Sequence, residues 1–474
     1  MPDVDPETAL RADAPVPGPP PVRDDEGDLN RDYIAALADA VEAGDAERVG
    51  LLVEDLHESD LGDLIEALAP DHRTRLIELL GPKFDFTALT EVDDTVRDDI
   101  LDELRTDIVA EGVRELDADD AVRILEDLEP EEQAAILGKL PALERDALQR
   151  SLDYPEDSAG RRMQTEFIAV APFWTVGQTI DYMREAEDLP DTFYEIFVVD
   201  PGYHLLGSVP LDALLRTKRP VEIGAIMTDE PDAVTATDPQ DEVARLFQRR
   251  NLVSAAVVDA DGRLVGTIMI DDIVDVIDEE ADADIKALGG VNPEEEISES
   301  VWGVVRSRFP WLLANLFTAL IAARVIDAFE GSIQKMVALA ILMPIVASMG
   351  GNAGTQTMTV TVRALATRDL RRGNAWRLVR REFGVGVANG MAFAVLLGVI
   401  AATWFGLVDI GIVIGLAVMT VFVAAALGGI LIPLTLEALG ADPAVSSGPF
   451  VTTVTDVVWF FTFLGIATLW FGLA

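Results

Sequence analysis

Two hydrophobic patterns divide the chain. Crossing a bilayer core takes about 20 mostly apolar residues, and residues 309–474 hold five such blocks: 309–329, 336–362, 383–408, 410–436 and 449–474. Hydrocarbon leaves the backbone no outside partner, so each block is predicted to be a helix. From 29 to 152 the period shortens. Apolar residues recur at three and four, as in Leu61, Leu64, Ile65 and Leu68, the mark of amphipathic helices. LIEALAP (64–70) is echoed by ILEDLEP (124–130), and each is followed by another helical stretch. The echo predicts stacked helix pairs in a superhelix, with an ordinary helical bundle as the alternative.

Between 160 and 278 the pattern alternates. AAVVDADGRLVGTIMIDDIVDVI reads as strand, tight turn at Asp261-Gly262, strand and helix, and IFVVDPGYHLLGSVPLDALL is a weaker copy about 60 residues earlier. Residues 279–308 read as a helix, a GGVNP break and a second amphipathic helix entering the first apolar block. Residues 1–28 are acidic and Pro-rich, without the apolar core of a signal peptide, and are expected to be a disordered tail.

Charge sharpens the division. Of 83 Asp+Glu and 36 Lys+Arg, residues 309–474 hold eight acids and nine bases, leaving 75 acids and 27 bases before them. Such a polyanion repels phosphate, so nucleic acid is not an expected partner. Only five of the bases are Lys, and an acid-rich, Lys-poor soluble half fits a salt-rich (halophilic) cytoplasm. There is no Cys, and His57, His72 and His204 all precede the apolar blocks. This removes thiolate chemistry and, with no His in the spans, an intramembrane zinc protease.

The candidate chemistry lies in the membrane half. Asp456 sits inside the fifth block, where a carboxylate costs roughly 2.5–3.5 kcal/mol and needs a wet cavity, a partner or an ion. A buried Asp bonded to Thr452, Thr453 or Thr455 is the plainer alternative. MPIVASMGGNAGTQTMTVT (343–361) offers Asn352, Thr355, Gln356, Thr357, Thr359 and Thr361 as oxygen donors, and Pro344 is expected to break or kink the helix. With DPAVSSGPFVTTVTD (442–456), this suggests two interrupted polar helices along an ion path, although a small-residue packing seam would also use these glycines. All-oxygen ligands suit a hard cation. One carboxylate per subunit, doubled across a dimer axis, would suit hydrated Mg²⁺.

Two strand–turn–strand units in tandem resemble a CBS pair. The family's nucleotide contacts commonly include Ser or Thr three residues after the strand glycine. Here Met269 and Pro210 hold those positions, which counts against ATP at this pair. The whole arrangement is similar to the MgtE family of magnesium channels, on the strength of PIVASMGGNAGTQ, TVRALATRDL and DPAVSSGPFVTTVTDVV. The resemblance implies a multidomain fold: an all-α superhelical N domain (29–152), an α/β tandem CBS pair (160–278), a connecting helix (279–308) and a five-span membrane domain (309–474). It implies a non-enzymatic homodimer in the cell membrane, with a pore site at Asp456 and backbone groups near Asn352 and Thr452. It also implies closure by cytoplasmic Mg²⁺ at sensor acids including Asp272, Asp275, Glu280 and Asp284, with Asp117 and Asp120 as the N-domain counterparts. Rival readings are the same architecture carrying Co²⁺ or Mn²⁺, a non-transporting membrane-anchored Mg²⁺ sensor, and a CBS-bearing chloride channel. The last has more spans, and a lone pore carboxylate favours a cation.

Orientation follows from Arg363, Arg368, Arg371, Arg372, Arg377, Arg380 and Arg381, all between the second and third blocks, because basic loops stay cytoplasmic. The N-terminus is then inside and the C-terminus outside. A Cys at position 474 should react with an impermeant reagent from outside, and one at position 374 should not. The reverse labelling would overturn the orientation.

Overall fold

The computed structural model describes residues 20–126, 128–186, 189–190, 192–293, 295, 300–366 and 375–473. Most of the acidic tail, together with Arg368, Arg371, Arg372 and the labelling positions 374 and 474, lies outside them. The chain forms two compact units, Met1–Asp278 and Glu279–Ala474.

The first unit begins with short amphipathic helices, from Arg31–Ala43 to Ala142–Leu152, around one apolar core that includes Leu37, Leu64, Ile65, Leu76, Ile124 and Leu125. The sequence echo is structural. Helix Glu58–Ala67 is followed by Pro70–Leu80, and Ala118–Glu126 by Pro130–Leu137. Each proline opens the second helix of its pair, where its missing N–H has no intrahelical role.

Two three-stranded sheets follow. Strands β1 (Ala169–Val170), β2 (Glu195–Val199) and β3 (Leu205–Pro210) form the first, and β4 (Ala233–Thr235), β5 (Ser254–Val258) and β6 (Leu264–Met269) the second. In each, the first pairing is parallel, the second antiparallel, and a register shift falls at the same place, Val198/Val199 and Val257/Val258. The weaker sequence copy is therefore a full structural copy. Even the turns match: Asp200 Oδ1 accepts the Gly202 and His204 N–H groups at 2.7 and 2.9 Å, and Asp259 Oδ1 accepts those of Asp261 and Arg263, both at 2.9 Å.

Helix Ile270–Leu288 leaves β6 and crosses the boundary between the units. In the second unit five helices have the length and hydropathy of membrane spans: Val301–Asp327, Val337–Ala366, Trp376–Phe405, Val408–Ala438 and Pro443–Phe471. Three sequence expectations are corrected here. The first span is one helix from Val301, with Pro310 inside it, rather than a separate amphipathic helix leading into a span at 309. The second runs unbroken through Pro344, and the fifth starts at Pro443 and runs through Pro449. A proline removes one helical N–H and crowds one carbonyl; where no water can take over the other backbone bonds, continuing the helix satisfies most of them. The fifth helix starts early because Asp442 caps it, accepting the Ala444 N–H at 2.7 Å. The third correction is that the helix carrying the third span begins at Ala375, so Arg377, Arg380, Arg381 and Glu382 are helical.

The second, fourth and fifth spans pack through small residues. A Cβ on Gly354 would stand 2.8 Å from Val451 Cγ1, and one on Gly350 2.9 Å from Val421 Cγ2, whereas one on Gly384 would meet nothing within 4 Å. Gly354→Ala should thus overpack the seam and destabilise the chain by about 1–3 kcal/mol. Gly384→Ala should be neutral or slightly stabilising, by up to ~1 kcal/mol of helix propensity. Thermal unfolding of the two variants in detergent checks the contrast, and equal midpoints would contradict it.

Candidate functional site

The seam sets the phase of the second span. Gly350, Gly354, Thr357 and Thr361 face the neighbouring helices, and Thr361 Oγ1 donates to its own Thr357 carbonyl at 2.8 Å. This leaves Asn352, Thr355, Gln356 and Thr359 exposed on another face, a stripe at the i, i+3, i+4, i+7 spacing of one helix side. On the fifth span Thr455 is buried in the seam, Thr452 is exposed and Asp456 is half-buried.

The threonines around Asp456 turn back on their own helix. Thr452 Oγ1 donates to the Gly448 carbonyl at 3.0 Å, Thr453 Oγ1 to that of Pro449 at 2.5 Å, and Thr455 Oγ1 to that of Thr452 at 2.9 Å. These hydroxyl hydrogens are committed to backbone carbonyls while their oxygens can still accept, and the Asp456 carboxylate forms no hydrogen bond or ion pair among the described residues. The alternative of an Asp bonded to its own threonines is thus absent. Backbone interruption, which sequence reasoning expected to supply carbonyl ligands, is absent too. What faces outward is an amide–hydroxyl stripe on one span and a carboxylate on the span packed beside it.

The second unit also holds the end of helix Ile270–Leu288. Ala287 and Leu288 pack with Met358 and Val362 of the second span and Ala444 and Val451 of the fifth. Asp284, half-buried, lies near Arg363 and Asp442; burial raises its pKa while Arg363 opposes the rise. The turn after this helix is pinned. Gly290 has φ +72, and a Cβ there would run into the Trp311 ring. Lys286 Nζ donates to the Pro293 carbonyl at 2.9 Å, and Arg308 forms a forked ion pair with Glu295.

In the first unit, the predicted sensor acids converge around a residue that sequence reasoning missed. Asp119, on helix Ala118–Glu126, is buried, and its Oδ2 accepts from Gln164 Nε2 at 3.3 Å while Oδ1 has no partner. The Asp272 carboxyl lies against it and accepts weakly from the Met269 N–H at 3.4 Å. Burial, then repulsion from Asp119, holds Asp272 well above the usual carboxylate range. Burial and the charges of Asp119 and Asp117 push Asp120 up to about 7. Asp275 lies 3.8 Å from Arg123, Asp117 is exposed at the helix start, and Glu280 is half-buried beyond the unit boundary. The helical phase carried a signal for Asp119: Ala118, Val122 and Leu125 form the inner face, and Asp119 lies nearer to it than Asp120 does.

Among the described residues, no three ligand-type side chains gather as a preformed metal cluster. Paired carboxylates with an orphaned oxygen do suit Mg²⁺, which commonly binds through one or two carboxylates and keeps several waters. The cleft between the two sheets suits a nucleotide poorly. It is lined by Phe167, Phe193, Tyr194, Glu195, Ser254 and Met269, with a free volume of about 10 Å³. Ser254 Oγ donates to Glu195 Oε1 at 2.9 Å, so the cleft wall carries a carboxylate, which would repel a phosphate brought close to it.

Known proteins match along most of this chain. The family described as divalent cation transporter matches residues 343–466, the MgtE intracellular N domain 56–157 and the CBS domain 223–279. The magnesium transporter MgtE of Enterococcus faecalis is 31% identical over 94% of this chain and 98% of its own length. That of Thermus thermophilus is 31% identical over 92% and 97%. A solved cytosolic domain of the Mg²⁺ channel MgtE in complex with ATP is 28% identical, covering 51% of this chain and 99% of that one, with a TM-score of 0.47. This multi-pass membrane protein belongs to the MgtE family of magnesium transporters.

Proposed function

We propose that two copies of this chain form a pore for hydrated Mg²⁺, lined by the second and fifth spans and closed by cytoplasmic Mg²⁺. The observation that carries the reading is the exposed stripe Asn352, Thr355, Gln356 and Thr359, on the span packed against the one that carries the half-buried Asp456. Hydrocarbon would leave these groups unsatisfied. Covering them with a second copy leaves a narrow wet path, with one Asp456 from each side and amide and hydroxyl oxygens along the walls. Mg²⁺ gives up its water reluctantly, so two carboxylates bonding through that water would hold the ion without trapping it. Asn352 and Thr452 contribute carbonyl and hydroxyl oxygen to the water shell.

Closure is assigned to the acids of the first unit and the connecting helix. A divalent ion between Asp119 and Asp272 would neutralise both carboxylates and turn a repulsive contact into a bridge. Asp117, Asp120 and Asp275 add negative charge around that bridge, and Glu280 and Asp284 continue it along the helix. The same helix carries Asp272 in its first turn and Ala287 and Leu288 in its last, against the second and fifth spans. Ions that bind the closed arrangement better than the open one shift the gate towards closure.

In liposomes, Asp456→Asn should lower Mg²⁺ flux at least about tenfold while the protein still folds, since a neutral amide costs less in the bilayer. Flux equal to the parent's would reject the pore assignment. In patch recordings, Asp119→Asn and Asp272→Asn should each raise the internal Mg²⁺ needed for closure by roughly 5–100-fold, and unchanged closure would remove this pair from the gate.

The acids also set a pH dependence. Asp120 holds its proton to about pH 7 in the fold, whereas an unfolded Asp loses it near pH ~3.9. The folded state therefore binds more protons, and without divalent ions stability should fall as pH rises from about 4 to about 7. Added Mg²⁺ should flatten this slope. Thermal unfolding of the full chain across that range tests the sign, and a rise of stability with pH from this region would refute it.

A further inference from the structure

We propose that the exposed face of the third span ends in a binding site for the headgroup of an anionic phospholipid. Trp376, Arg377, Arg380 and Arg381 line an open recess of about 580 Å³ at the start of this helix. Arg381 is shared with the buried Glu382, to which its Nη2 donates at 2.7 Å. Arg377 and Arg380 are exposed and form no ion pair among the described residues. Two guanidinium groups without an ion pair among the described residues thus stand beside a tryptophan that is 69% exposed.

The decisive feature is continuity. The face that carries Arg377, Arg380 and Arg381 continues along the helix as Gly384, Val385, Ala388, Met391, Val395 and Val399, all exposed. At ~1.5 Å per residue, Arg381 to Met391 spans about 15 Å, half of a hydrocarbon core of about 30 Å. A phospholipid whose acyl chains lie along Val385 to Met391 would set its phosphate among the arginines. Forked guanidinium donors match phosphate oxygens, and tryptophan favours the headgroup level. A second copy of the chain is a poorer occupant, because it would bring four arginines together. A purely topological role for these charges would require neither Trp376 nor their alignment with the apolar stripe. The proposal rests on the membrane reading of these helices and not on ion transport, so flux measurements and lipid binding fail separately.

The test is native mass spectrometry of the full chain in mild detergent with equal amounts of phosphatidylglycerol and phosphatidylcholine. The parent should retain phosphatidylglycerol preferentially. Arg377→Gln/Arg380→Gln should reduce that preference by roughly fivefold or more, as expected for basic residues at a lipid surface. Arg216→Gln/Arg249→Gln, with the same charge change in the first unit, should keep it. Arg377→Lys/Arg380→Lys keeps the charge and the orientation signal, and should show an intermediate preference even if the glutamine variant misfolds. The proposal is overturned by equal retention of the two lipids by the parent, by undiminished preference in both the glutamine and lysine variants, or by displacement of the lipid with millimolar inorganic phosphate, which would mark a site for soluble anions.

Discussion

Hydrocarbon offers a polar group nothing to bond to, and the second unit is arranged around that fact. The helices continue through Pro310, Pro344, Pro433 and Pro449 because interruption would expose more backbone than each proline does. Threonine hydroxyls of the second and fifth spans fold back onto carbonyls of their own helices. Glycines bring the second, fourth and fifth spans within backbone contact, where dispersion replaces the missing hydrophobic drive. Asp456, Asn352 and Gln356 have no comparable way to hide. Asn352 and Gln356 are exposed and Asp456 is half-buried, and inside a membrane such groups need water, an ion or a partner.

On the soluble side the constraint is reversed. Water is plentiful and the acids are mostly solvated, so their number alone says little about sites. At about 1 M salt the Debye length is only roughly 3 Å, which screens diffuse repulsion between surface carboxylates. Asp119 and Asp272 escape that screening because the fold presses them together away from bulk solvent. A strongly acidic surface in salt can thus still contain an unscreened contact between carboxylates, provided that the contact is buried.

The sequence made the architecture readable where a single period dominates. Five apolar blocks gave five helices, the 60-residue helical echo gave proline-opened helix pairs, and the faint copy at 196–215 proved to match its partner down to the position of its β-bulge. Helix ends were less readable. Charged residues such as Arg377 and Glu382 look like loop yet continue the third helix, and Asp442 starts the fifth by a cap that hydropathy does not register. Of the break or kink expected at Pro344, the break does not occur, since the cost of proline in water is not its cost where breaking the helix costs more. Among acids, Asp456 stood out because its surroundings are apolar. Asp119 did not, because one acid among 75 is distinguished only by helical phase and by a partner about 150 residues away.

In the proposed gate, transmission between ion binding and the pore depends on stiffness. Ion binding at one end of helix Ile270–Leu288 can bias a gate only if the other end does not absorb the movement. Shifting a gate from 1:99 to 99:1 takes about 5.5 kcal/mol of differential binding, and slack in the connection would dissipate it as local bending. The turn after the helix is built against slack. Gly290 adopts a left-handed conformation under the Trp311 ring, Lys286 holds the Pro293 carbonyl, and Glu295 grips Arg308 on the first span through a forked pair. Ala287 and Leu288 are wedged against residues of the second and fifth spans. The connector is therefore joined to three of the five spans by packing and an ion pair, and is braced internally by the Lys286–Pro293 hydrogen bond. In the proposed gate, a displacement of its last turn would press directly on the two helices that carry Asn352 and Asp456, through the contacts of Ala287 and Leu288.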